Sequence, residues 1–163
     1  MKNSCKNFAK SFAKLLPALA AIIAPGLVAA QQVAPCQSVG FDQGTASQVI
    51  RDQRSFANGA VTLALLDLGQ PEAGNLYLML LSPPNDAGGN PQCRLISWRE
   101  DRGFAQLDFS ALTATYDPAK GLTFSIPGLF VLLEEGFSNA ILVHLTVNQA
   151  TGEVMTESEL GLE

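Results

Sequence analysis

The chain has 163 residues, of which 47% are hydrophobic and 15% charged, and a formal net charge of −5. So low a charged share excludes a disordered chain, a coiled coil and a charge-rich nucleic-acid module. Gly (14) and Pro (9) recur without a period, which excludes collagen-like and low-complexity chains and leaves a compact globular domain.

Residues 1–14 carry Lys2, Lys6, Lys10 and Lys14 and no acid. An apolar run follows over residues 15–24, then Pro25 and Gly26, then Leu27, Val28, Ala29 and Ala30. A basic head, an apolar middle and small residues at the end spell a secretory signal peptide, with cleavage expected between Ala30 and Gln31. Residues 15–30 are too short and too proline-interrupted for a membrane span, which needs about 20 apolar residues. A mitochondrial transit peptide would want arginine and amphipathicity, and the segment has neither. The expected domains are therefore a signal peptide, 1–30, and one β-rich domain, 31–163, secreted or periplasmic and with no stable membrane span.

Removal of the signal leaves six basic residues against fifteen acidic ones, a net charge of −9, with Lys120 as the one remaining lysine. Such a surface repels phosphate backbones, so no nucleic-acid partner is expected. The cleaved chain keeps two cysteines, Cys36 and Cys93. In an exported protein two cysteines pair, and neither C-x-x-C spacing nor a histidine cluster points instead to metal or redox chemistry.

Residues 31–46 are polar and read as an irregular arm fastened by Cys36. The segment 46–57 is ambiguous: Thr45 to Gln48 fits a capping box, but Asn58-Gly59 favours 48–57 as the first arm of a hairpin with a two-residue type I′ turn. The strand is the preferred reading. Residues 60–68 and 75–82 are apolar on both faces, as are 139–147, and belong in the middle of a packed sheet. Further strands are expected at 93–99, 104–109, 111–116, 121–126, 129–133 and 153–157. In 121–126, Leu122, Phe124 and Ile126 face one way and Thr123 and Ser125 the other. Turn signals recur every eight to twelve residues. Short connections make the pairing antiparallel, so the fold class is all-β, a meander or small sandwich.

His144 is the chain's only histidine. On a strand it shares a face with Leu142 and Thr146, and is expected to be hydrogen-bonded or partly exposed rather than catalytic. Gly136-Phe137-Ser138-Asn139-Ala140 resembles a nucleophile elbow, but strand patterning follows Ser138 and no α/β alternation surrounds it, so it reads as a turn. Asp67-Leu68-Gly69 lacks the hydroxyl residue of an aspartic-protease loop and reads as a strand end. The acid pairs Glu134-Glu135 and Glu100-Asp101 point to opposite faces in extended structure. Asn85 to Asn90 offers one carboxylate, too few for a calcium site.

No catalytic set, metal site or cofactor site is expected. The leading expectation is a non-catalytic exported β-domain that binds an unknown protein or small molecule, or has an envelope-structural role. One alternative is a subunit of an extracellular or periplasmic assembly, including a homo-oligomer, because 129–133 and the doubly apolar strands offer surplus hydrophobic surface. The other is a hydrolase built from scattered acids with Ser138 or His144.

Overall fold

A computed structural model of the chain describes residues 31–39, 49–69, 74–100, 102–132 and 136–161. Residues 1–30, where a signal peptide is expected, Thr45 to Gln48, Asp101, Glu134 and Glu135 lie outside the described residues.

Two antiparallel sheets form a sandwich. The first contains β1 (Gln32–Pro35), β2 (Ile50–Phe56), β3 (Val61–Asp67), β4 (Leu76–Ser82) and β5 (Gln92–Ser97), in the order β1-β5-β4-β3-β2. The second contains β6 (Gln106–Leu107), β7 (Thr113–Asp117), β8 (Gly121–Leu132), β9 (Phe137–Val147) and β10 (Val154–Leu160), in the order β10-β9-β8-β6, with β7 also on β8. The all-β expectation holds.

Strand periodicity explains the core. Val61, Leu63 and Leu65 of β3, Leu78 and Leu80 of β4 and Ile96 of β5 point inward, against Leu122, Phe124 and Ile126 of β8 and Ile141, Val143, Leu145 and Val147 of β9. Aromatic rings tie the layers together: Phe56 meets Phe124 edge-on at 4.8 Å, and Trp98 stacks on Phe130 at 4.1 Å. The alternate residues of the first sheet, Ala64, Leu66, Met79 and Leu95, form a second buried cluster with Cys36 and Cys93 on its outer face.

Cys36 and Cys93 are bonded, their Cα atoms 5.4 Å apart. Cys36 begins a 3-10 turn directly after β1, and Cys93 lies near the start of β5, so the bond fastens one edge of the first sheet.

Four local expectations are corrected. The arm 31–46 is not wholly irregular, because β1 pairs with β5 from Gln32↔Ser97 to Pro35↔Arg94. Asn58-Gly59 does not form a two-residue turn. Phe56 pairs with Val61, and Ala57, Asn58 and Gly59 all take positive φ within a four-residue connection. The expected strand 104–109 shrinks to the two residues of β6, because Asp108 caps a 3-10 turn with hydrogen bonds from the amides of Ser110 and Ala111. Finally, 121–126 and 129–133 are not separate strands: β8 runs through Pro127 and Gly128 in unbroken register with β9.

Candidate functional site

The outer face of the second sheet is polar, as the alternation of 121–126 implies. His144 stands in the middle of β9, opposite Ser125 of β8 and Glu157 of β10. Ser125 Oγ lies 2.9 Å from His144 Nδ1, and Glu159 Oε1 lies 3.5 Å from His144 Nε2. A carboxylate on the Nε2 side favours the tautomer protonated there, which leaves Nδ1 to accept the Ser125 hydroxyl. At that length the Glu159 contact is within ion-pair distance but is not a hydrogen bond, so Nε2 has no hydrogen-bond partner, and the Glu159 side chain is 74% exposed. One step along the strands, the hydroxyls of Thr123 and Thr146 bond at 2.9 Å.

His144, Glu159 and the two threonines, though not Ser125, line a depression of about 450 Å³ bounded also by Lys120, Met155 and Glu157. Its chemistry is mixed: one ammonium, two carboxylates, an imidazole, paired hydroxyls and a half-exposed thioether. The floor is pleated sheet whose amides serve the strand ladders, so recognition there falls to side chains.

The other singled-out residues are elsewhere. His144 is the half-buried, hydrogen-bonded strand histidine expected. Ser138 is exposed on the same face of β9 but six residues along, about 20 Å at strand rise, opposite Val131. It belongs to the strand, not to a turn. Asp67 ends β3 in the other sheet, as expected, where it accepts the Gly69 amide (3.0 Å) and the Asn75 side chain (2.7 Å) and pairs with Arg51. The Gly69 amide, ahead of the Arg51 guanidinium, holds the Asp67 carboxyl below its usual range. Asp86 spends its oxygens on the Gly88 and Asn90 amides of its own loop, at 2.8 and 2.9 Å. Among the described residues no group of three His, Cys, Asp or Glu side chains converges on a metal-sized site.

Sequence reasoning missed Ser125, Glu157 and Glu159 as neighbours of His144. The alternation put Ser125 on the polar face. Only the register of the 121–147 hairpin, in which Ser125 opposes His144, brings the two together.

No protein-family model matches this chain, and no curated protein or solved structure matches it. Among the described residues no helix is long and apolar enough to cross a membrane.

Proposed function

We propose that this chain is an exported domain that works by binding rather than catalysis, and that its binding surface is the depression around His144. The observation that carries this reading is the depression itself. A sandwich face that served only solvation would have no reason to gather Lys120, His144, Glu157 and Glu159 around a pair of threonines and a methionine. Groups of both charges with neutral hydroxyls between them suit a small, polar ligand bearing several hydrogen-bonding groups. The disulfide fits an oxidising compartment, in keeping with the basic, apolar and small-residue segments of 1–30.

Amide NMR of the domain, titrated in turn with neutral sugars, free amino acids and polyamines, tests the reading. Shifts should cluster at residues 120, 123, 144, 146, 155, 157 and 159 for one ligand class, and Thr146→Arg should abolish them. A ligand that binds elsewhere on the domain would refute the placement.

A second reading, hydrolysis, draws on the line Ser125–His144–Glu159 rather than on Ser138. In it Glu159 orients the imidazole, which takes the Ser125 proton. It ranks second because a tetrahedral intermediate needs donors aimed at its oxyanion, and the backbone amides of this sheet interior are engaged in ladders. Covalent labelling of Ser125 by a fluorophosphonate, lost in Ser125→Ala, would promote it above binding.

A further inference from the structure

We propose that the ligand of the depression on the second sheet is a short peptide with free termini, its carboxylate held at Lys120 and its ammonium at Glu157 and Glu159. This rests on the binding reading of the depression and adds the class of its ligand.

The register of three strands sets the order of charges. Thr123, Thr146 and Met155 lie side by side across β8, β9 and β10, in one row on the outer face. His144 and Glu157 face each other in the next row, and Glu159 stands one row beyond, opposite Leu142. Lys120 lies at the other end, in the turn before β8. The depression therefore runs from an ammonium, over neutral hydroxyls and a thioether, to a pair of carboxylates. Two further acids near the Lys120 end do not line it: Asp117 accepts the Ala119 and Lys120 amides, and Glu153 precedes β10. A wholly cationic ligand would meet Lys120, and a wholly anionic one would meet the two glutamates, so like charges repel at one end or the other. A ligand with opposite charges at its two ends suits both.

Separation decides the size. Four residues of β8, about 13 Å at strand rise, lie between Gly121 and the Ser125–His144–Glu157 row, and the stem of Lys120 covers part of that length. An extended peptide of two or three residues spans about 7–11 Å. A free α-amino acid carries both charged groups on one carbon and meets only one end at a time. The middle suits an amide. Thr123 and Thr146 spend one hydroxyl proton on their mutual bond of 2.9 Å, which leaves the second proton for a peptide carbonyl and lone pairs for a peptide N–H. Half-exposed Met155 gives a ligand side chain an apolar wall that adapts to its shape. The His144 imidazole, held by Ser125 Oγ, floors the passage to the carboxylates.

The test is amide NMR of the full chain, recovered after export by a secreting host, with trialanine, N-acetyl-trialanine and trialanine amide as probes. Trialanine should give saturable shifts around residues 123, 146 and 157. Blocking either terminus should weaken binding by about three- to tenfold. Lys120→Met should weaken trialanine and leave the affinity of the amide unchanged, and Glu157→Gln with Glu159→Gln should do the same for the acetylated peptide. All three positions are exposed, and an otherwise unchanged spectrum establishes that each variant is folded. Blocked peptides that bind as tightly as trialanine would overturn the proposal. So would a sugar or polyamine that shifts these residues when trialanine does not, although the binding site would then stand. Trialanine bound elsewhere, or no probe bound at the depression, would overturn both.

Discussion

Replacing both Cys36 and Cys93 by Ala should destabilise the domain by about 5–6 kcal/mol. The larger part comes from the unfolded state. The bond joins residues separated by 57 positions, and closing a loop of that length removes about 4 kcal/mol of chain entropy at 25 °C on the chain-entropy relation. The smaller part is packing. Both side chains are buried, at 1% and 6% exposure, against Ala64, Leu66, Met79 and Leu95, so removing each sulfur takes a few tenths to about 1 kcal/mol of contact. Alanine is the better replacement, because serine would strand a hydroxyl among apolar groups at about 1–3 kcal/mol each. Urea unfolding reads the effect through Trp98, the only tryptophan, which is buried and stacked on Phe130. Reduced wild type and the double variant should fall within about 1 kcal/mol of each other, and both far below the oxidised protein. Agreement within about 1 kcal/mol between the oxidised protein and the double variant would refute the reasoning.

Three further outcomes follow from local geometry. Gly121→Ala should destabilise the domain by about 2 kcal/mol or more in the same urea assay, because Gly121 has φ +111° and a Cβ there would lie 2.2 Å from the Val147 carbonyl oxygen. A midpoint unchanged from wild type would contradict the close approach of β8 to the end of β9. The carboxyl of Asp67 titrates below its ordinary 3.8 in the folded chain, so the unfolded chain binds protons first as pH falls, and the Asp67 contribution is present above that value and lost as pH falls through the folded one. Thermal midpoints of wild type and Asp67→Asn should accordingly differ at neutral pH and converge in acid; a gap that widens in acid would reverse the sign. His144→Gln should stay folded with a loss within about 1–2 kcal/mol by thermal denaturation, since Gln retains a group able to bond Ser125 Oγ. A loss above about 4 kcal/mol would make His144 a core support rather than a surface group.

The sequence carried the fold class because period-two patterning is a local property, and each of the strongly apolar strands was found within a residue or two of its position. What it could not carry was set by partners. β1 has only four residues and exists through its pairing with β5, more than fifty positions away, so nothing in 32–35 alone announces a strand. The gap between the expected strands 121–126 and 129–133 falls at Pro127-Gly128, and proline ordinarily ends a ladder. Its tolerance there depends on a neighbour. The Pro127 carbonyl accepts the Asp108 amide on the side where β6 has ended at Leu107 and β7 has not yet begun at Thr113, so the missing N–H faces a gap in the ladder. Gly128 in turn lets β6 approach, since a Cβ there would stand 2.5 Å from the Gln106 carbonyl. The site was less legible than the fold. Ser125, Glu157 and Glu159 are unremarkable in their own segments, and they become neighbours of His144 only through the registers of two hairpins.

The order β1-β5-β4-β3-β2 also sets a sequence of assembly for a chain that emerges from its N-terminus. β2 to β5 join by successive hairpins, each strand pairing with the one before it, and the loop entropy to be overcome is small at every step. β1 emerges first yet has nothing to pair with until β5 arrives, so it is the last strand of its sheet to be placed. Until then Cys36 has no fixed position relative to Cys93, and an oxidant meets two separated thiols. The bond therefore records completion of the sheet rather than directing it, and a chain truncated before β5 would carry its first cysteine unpaired however oxidising its surroundings.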